Sequence, residues 1–343
     1  MKIAFFHYYH SSAQRGLETY LDQLNLYTSK HHQTQIYQGP KKAYPPSHNL
    51  SLKRRLFLDR SSRQIAAWTL DCLSDLKRFN PDIVFALNGG WQSVILRLWT
   101  LISRKKLIIP GQSGPGWDDR WNLFCSPDVF VCLTQAQLLW AKRQISRSKL
   151  VVIPNGVDLN FFSPSGKSIK LPIPSPVILV VAAAQDSKRV DTTIKAISTL
   201  PNISLLWIGA GPLEAKLKKL GIKLLGSRFH HLSLKHQQMP DYYRSADLLT
   251  LCSAKTEAFG IVYLEALASN LPVVATNDLS RRQIIGKAGL YVTNPQDIDE
   301  YASVLKQALA KKWGNQPRKQ ALKFSWGKVT GQYLKLFNQL VSS

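Results

Sequence analysis

Short apolar runs alternate with stretches of helical periodicity along the whole chain, and this alternation restricts the fold more than any other feature. Ile3–Phe6, Ile83–Leu87, Leu107–Ile109, Val129–Cys132 and Val151–Ile153 read as strands in the first half. In the second half the same reading applies to Val177–Ala182, Ser204–Ile208, Leu248–Leu251 and Val273–Ala275. Strands separated by helices predict parallel sheets with helices packed on their faces, an α/β fold. Between the halves, Ser163–Pro176 holds four prolines and one glycine, which marks a linker. At 343 residues the chain has room for two such domains. The expected division is 1–165 and 172–325, with the C-terminal helix, about 326–343, returning to the first domain. Two Rossmann-like domains of this kind would face each other across a cleft, with ligands at the carboxyl ends of their strands.

The formal net charge is +24, and both halves carry it about equally, so it is no basic tail. A positive field favours polyanions or an anionic membrane surface. Zinc-finger spacing, a basic-aromatic ribonucleoprotein motif and a basic heptad helix are all missing, so no specific nucleic-acid partner is expected. Two segments mix cations with large apolar side chains. One runs Lys53-Arg54-Arg55-Leu56-Phe57-Leu58 and on through Arg60, Arg63, Ile65 and Trp68. The other is Leu96-Arg97-Leu98-Trp99-Thr100-Leu101 with Arg104, Lys105 and Lys106. Helices of this composition can lie in an anionic interface, or simply turn their apolar side to a core. The polar start of the chain argues against a signal peptide, and no apolar run is long enough to span a bilayer. The four cysteines lack metal or redox spacing, which suits a reducing cytoplasm.

Residues 257–265 carry the strongest chemical signal. Glu257-Ala-Phe-Gly-Ile-Val-Tyr-Leu-Glu265 follows a strand, and Ile261, Leu264, Glu265, Leu267 and Ala268 recur at helical spacing. Glu257 is therefore expected in a loop at a strand's carboxyl end, Gly260 at the start of a helix, and Glu265 within its first two turns. Free amides at such a start favour an anion. Carboxylates beside them suit sugar and ribose hydroxyls, and by themselves could equally be solvated. Lys188 falls just past another strand end, where its ammonium could hold a diphosphate as a point charge. Gly209-Ala210-Gly211-Pro212 ends a further strand in a tight turn that would let a nucleotide approach.

In this order the motifs resemble glycosyltransferase family 4, retaining nucleotide-sugar transferases of the GT-B fold. The resemblance rests on Ile153-Pro-Asn-Gly-Val-Asp158, Lys188, Gly209-Ala-Gly-Pro-Leu213, the E-x-F-G-x4-E set from Glu257 to Glu265, and Leu271–Thr276. Phe324-Ser325-Trp326 and the helix after it look like the family's C-terminal crossover. It implies that Glu257 binds donor-sugar hydroxyls, that Glu265 binds the ribose, and that amides around Phe259, Gly260 and Ile261 face the sugar and phosphates. It also implies that Lys188 steadies the departing nucleotide diphosphate, a role that needs neither metal nor cofactor. Many members carry an arginine five residues before this lysine, where this chain has Ala183.

The first half follows the family less closely. Ala13–Thr19 resembles its glycine-rich loop, with Gly16 retained and Leu17 in place of the second glycine. Where members commonly place a histidine, the loop Pro110–Asp119 offers Gln112, which cannot act as a base. Gln112 and Asp118 or Asp119 are the acceptor-side candidates, joined by His7 and His10 near the first strand. The expected function is metal-independent transfer of a sugar, with retention, from a nucleotide-diphosphate donor to a lipid-linked or saccharide acceptor, as in cell-envelope polysaccharide synthesis. It would be a cytoplasmic enzyme, held at the membrane if the segments near Lys53 and Arg104 bind lipid. A nucleotide-sugar epimerase on the same fold and a non-catalytic sugar-nucleotide or polyanion binder are the alternatives.

Overall fold

The structure, a computed structural model, describes residues 1–11, 16–41, 52–254 and 257–342. The chain forms two compact units, Met1–Asn155 with Trp326–Ser343 and Gly156–Ser325. In the first unit the strands are β1 (Lys2–His7), β2 (Gln33–Gln38), β3 (Ile83–Ala86), β4 (Lys106–Pro110), β5 (Val129–Cys132) and β6 (Lys149–Val152). They form one sheet in the order β2-β1-β3-β4-β5-β6, every pair parallel. The chain moves one way from β1 to β2, then returns to the other side of β1 to begin β3. That reversal opens a crevice beyond the carboxyl ends of β1 and β3.

The second unit holds β7 (Val177–Val181), β8 (Ser204–Ile208), β9 (Phe229–Leu232), β10 (Leu248–Leu251), β11 (Val273–Thr276) and β12 (Gly289–Val292). Their order is β12-β11-β10-β7-β8-β9, again all parallel, which is the doubly wound dinucleotide-fold order. The reversal lies between β7 and β10, whose Leu248 and Leu249 register with Ile178 and Leu179. Central strands are apolar on both faces because helices cover both: β3, β5 and β10 are buried throughout. The final helix, Trp326–Val341, buries Val329, Tyr333, Phe337 and Leu340 in the core of the first unit, as the crossover reading expected. A 2.6 Å hydrogen bond between the Tyr20 and Tyr333 hydroxyls fixes its rotation.

The proline-rich stretch does not run free between the units. The first unit ends at Asn155, and Ser163–Pro176 belongs to the second. Arg244 holds it there, donating to the carbonyls of Lys167 at 2.8 Å and Ser163 at 3.2 Å. The Ile169 amide adds a 2.6 Å bond to the Ser245 hydroxyl.

Candidate functional site

In the second unit two loops flank the reversal, one after β7 and one after β10. The first turns through the 3-10 segment Asp186–Lys188 and enters the helix Val190–Ser198. The second runs to Gly260 and into the helix Ile261–Ala268. The Ala254 amide donates to the Ser187 carbonyl at 2.7 Å, so the backbone next to Lys188 is tied to the loop that carries Glu257. Across this tie Lys188 Nζ donates directly to Glu257 Oε2 in an ion pair. The two sequence candidates for catalysis are thus in contact.

Gly260 has φ +81°, a conformation that glycine adopts at little cost, and a Cβ there would stand 2.4 Å from the Tyr263 ring. Tyr263 is pinned in turn by its hydroxyl, which donates to the Leu251 carbonyl at 2.7 Å. The turn brings the first amides of the helix to the strand end. Those of Phe259, Gly260 and Ile261 find no acceptor among the described residues. The Phe259 side chain is buried, so only its backbone is available to a ligand.

Glu265, one turn further on, is 5% exposed. One carboxylate oxygen accepts the Tyr243 hydroxyl at 2.7 Å, and the other faces His236 Nε2 at 3.2 Å. A carboxylate has about four acceptor positions, so two remain for ligand hydroxyls. The hydrogen bond to Glu265 raises the pKa of His236, against the effect of its partial burial. Burial, together with the same carboxylate, pushes the Tyr243 hydroxyl well above its ordinary value. His236 also stacks on Phe161, with ring centroids 5.5 Å apart.

Gly209 and Gly211 are needed for a reason besides ligand approach. A Cβ on Gly209 would meet the Ala182 carbonyl oxygen at 1.9 Å, and one on Gly211 the Ala184 amide nitrogen at 3.0 Å. The turn after β8 packs directly on the loop after β7, with Ala184 accepting from Leu213 and donating to Ala210, both at 3.0 Å. Where the family arginine is absent, the nearby Arg281 cannot replace it. Arg281 is 1% exposed; it pairs with Asp278 and donates to the Ser253 hydroxyl at 2.7 Å and the Ala254 carbonyl at 2.9 Å. Its work is to hold the loop that leads to Glu257.

The first unit has its own cavity, of about 410 Å³, at the reversal between β1 and β3. His7 ends β1, and Leu87, Asn88 and Gly89 follow β3; all four line it. Asp118 stands at the wall paired with Arg54, whose Nη2 donates to both carboxylate oxygens at 3.0 and 3.1 Å. Gln112 does not line it. Its side-chain amide is engaged with that of Asn155 in a reciprocal pair, at 3.0 and 3.3 Å. Asp119 is fully buried beneath the loop and accepts from Gln137 at 2.8 Å; burial, beside Asp118, pushes its carboxyl up to about 8. His10 pairs with Asp22 and Gln38. Gly16 begins the helix Gly16–Thr28, while Ala13–Arg15 of the proposed glycine-rich loop lie outside the described residues.

Both basic segments lie in helices, Leu52–Arg55 with Arg60–Asp71 and Trp91–Ser103, that turn part of their apolar side to the core. Lys53 sits in a helix of one turn, Leu52–Arg55, and Phe57 and Ile65 are buried. Trp68 packs against Phe6 and Tyr8. Arg97 and Lys105 are paired with Asp128 and Asp82. Exposed apolar side chains do remain, at Leu52, Leu56 and Leu58 and at Leu98, Leu101 and Ile102 beside Arg104. Among the described residues, no helix is long and apolar enough to cross a membrane. Sequence reasoning missed Tyr243, His236, Arg281, Glu18 and Asn88. Glu18 lies within the quoted Ala13–Thr19 stretch but had no role assigned there, the others belong to no spaced motif, and only the fold brings them to the strand ends.

Residues 166–323 match the family described as glycosyl transferases group 1. An exopolysaccharide phosphotransferase of Streptomyces coelicolor is 28% identical over 304 residues, 80% of this chain and 31% of that protein. The D-inositol 3-phosphate glycosyltransferase of Mycolicibacterium smegmatis is 28% identical over 226 residues, 61% of this chain and 51% of that one. The chain therefore spans from 31% to 51% of the length of these relatives. Among solved structures, sucrose-phosphate synthase from Thermosynechococcus elongatus superposes with a TM-score of 0.80 at 18% identity, covering 99% of both chains.

Proposed function

We propose, from the premise that this chain belongs to the family 4 type of GT-B glycosyltransferases, that it moves a sugar from a nucleotide-diphosphate donor to a saccharide or lipid-linked acceptor, with retention and without a metal. The observation that carries the reading is the pairing of Lys188 with Glu257 at the second reversal, one loop from the buried Glu265 held by Tyr243. Glu265 receives the ribose hydroxyls on its open lone pairs. The diphosphate lies toward Lys188 and the free amides at the start of the helix Ile261–Ala268. As the bond from the anomeric carbon to phosphate oxygen breaks, negative charge grows on the diphosphate. The ammonium, held at the strand ends by its pairing with Glu257, stabilises that growth more than it stabilises the ground state. Glu257 holds the donor sugar's hydroxyls, and the cavity of the first unit takes the acceptor.

The test is a panel of nucleotide sugars added to the purified chain in the presence of a chelator. Donor-dependent thermal stabilisation or slow donor hydrolysis is expected, and Glu265→Ala should abolish it. Stabilisation that survives Glu265→Ala would overturn the site, and activity lost to the chelator would overturn metal independence.

An anionic membrane surface is the partner the reading adds, and the exposed leucines 52, 56 and 58 interleaved with Lys53 and Arg55 support it. The chain should float with anionic and not with neutral liposomes. Indifference to lipid charge would remove this partner.

A further inference from the structure

The floor of the first unit's cavity holds a polar pair that no motif announced. His7 Nε2 lies 3.0 Å from Glu18 Oε1, and the side chains are 1% and 7% exposed. With the carboxylate ionised, Nε2 carries the ring proton and donates to it. That leaves Nδ1 as a bare acceptor. Nδ1 is buried and has no hydrogen-bond partner among the described residues. A buried polar atom left unpaired in this way is costly, and most such atoms in proteins are satisfied.

Asn88 supplies the complementary group. Its Oδ1 accepts the Tyr8 amide at 2.7 Å, which fixes the orientation of the side-chain amide. The Asn88 NH2 group therefore turns away from that bond, and it donates to no acceptor among the described residues. Both residues line the same cavity. They come from the ends of β1 and β3, the two strands at the reversal of the sheet. A lone-pair acceptor and an N–H donor together match a hydroxyl, the one common ligand group that both donates and accepts.

We propose that His7 Nδ1 and Asn88 bind the hydroxyls of an uncharged sugar or polyol, and that Glu18 is the positioning residue that fixes the His7 tautomer. An anionic headgroup fits poorly. A fully ionised phosphodiester has no hydrogen to offer Nδ1, the floor carries the Glu18 carboxylate and Arg54 is paired with Asp118, so that among the lining cations only Arg55 is left to balance an added negative charge. A volume of about 410 Å³ suits one or two sugar rings, since small-molecule pockets run from ~300 to ~1,000 Å³. Ile65, Leu87 and Trp117 give the apolar face against which a pyranose ring lies. This rests on the transferase reading only for whose hydroxyl it is, namely the acceptor's.

The experiment uses the full chain labelled with 15N-histidine, and His7→Asn assigns the His7 signals among the eight histidines. Without ligand, the His7 proton is expected on Nε2. Methyl glucoside, methyl galactoside and methyl mannoside are the probes, with inorganic sulfate, which carries no hydrogen near neutral pH, as the anionic arm. At least one glycoside should shift the Nδ1 resonance, and sulfate should not. Glu18→Gln, whose amide can face His7 with either end, should weaken that glycoside about tenfold or more, the loss of a charge-assisted hydrogen bond. Its nucleoside-diphosphate affinity should not change. A proton found on Nδ1, a shift produced by sulfate alone, no shift with any glycoside, or full glycoside affinity in Glu18→Gln would each overturn the proposal. Nucleoside-diphosphate binding is measured in parallel on the second unit's site. Its absence would sink the transferase reading while leaving the cavity result to be judged separately.

Discussion

Replacing Glu257 with glutamine should make the protein bind a bare nucleoside diphosphate more tightly while making it a worse enzyme. Lys188 and Glu257 are in direct contact, with side chains 24% and 14% exposed. A diphosphate that reaches the ammonium must share it with the carboxylate and accept that carboxylate's repulsion. Two unit charges about 4 Å apart interact by ~1 kcal/mol in water and ~4 kcal/mol at an effective dielectric constant near 20. A pair this partly exposed lies toward the lower end. Removing the carboxylate's charge should therefore return on the order of 1–2 kcal/mol to diphosphate binding, roughly 5- to 30-fold in Kd. Glutamine keeps the size of the side chain and one hydroxyl acceptor, so the loop should hold its shape. Calorimetric titration with UDP, GDP, ADP and dTDP at fixed ionic strength measures the effect on whichever nucleotide binds. Turnover of the matching nucleotide sugar should fall in the same variant, because the sugar loses its charged partner. Adding Lys188→Met to Glu257→Gln should erase the gain. Diphosphate affinity that is unchanged or weaker in Glu257→Gln would refute the claim that Glu257 restrains Lys188 in the resting protein.

Three further outcomes follow from the same contacts. Tyr243→Phe removes the donor at 2.7 Å from buried Glu265 and should cost about 1.5–3 kcal/mol, seen as lower stability in denaturant and weaker nucleotide binding; an unchanged nucleotide Kd would refute the positioning role. Gly260→Ala forces a Cβ to within 2.4 Å of the Tyr263 ring at φ +81° and should cost about 2–3 kcal/mol in chemical denaturation, and a neutral result would show that the turn rebuilds easily. Asp119 keeps its proton to about pH 8 when folded but loses it near the ordinary 3.8 when unfolded. Its favourable contribution is thus complete below about pH 4 and is lost as pH rises from about 4 to about 8. Asp119→Asn should therefore gain stability over the parent as pH rises through that window, and a difference that stays flat with pH would contradict it.

What the sequence disclosed and what it withheld divide along physical lines. The strand readings that succeeded, such as Ser204–Ile208 and Leu248–Leu251, fall on interior strands covered on both faces, where nearly every residue must be apolar. The missed strands are β2, β9 and β12, each at a sheet edge. Gln-Thr-Gln-Ile-Tyr-Gln and Phe-His-His-Leu are half-exposed and carry too few apolar residues to stand out. Ser163–Pro176 reads as a linker from its prolines, yet the hydrogen bonds of Arg244 and Ser245 that bind it to the second unit come from a helix end 76 to 81 residues away. The donor-side residues lie in local motifs whose spacing survives in one dimension. Their supports do not: Tyr243 and His236 reach Glu265 only because the segment before β10 folds back against the helix Ile261–Ala268. Gln112 was placed by analogy with a family position, and the fold turns it to Asn155 instead. His7 was singled out, but its partner Glu18 is visible only once the helix after β1 is in place.

The central claim is that the loops after β7 and β10 form a nucleotide-sugar site, and a crystal structure of the chain with a bound nucleoside diphosphate tests it most directly. The ribose hydroxyls should lie within hydrogen-bond distance of Glu265, and the diphosphate should contact Lys188 Nζ and the amides from Phe259 to Ile261. A nucleotide bound elsewhere, with the Lys188–Glu257 pair and Glu265 untouched, would contradict the account.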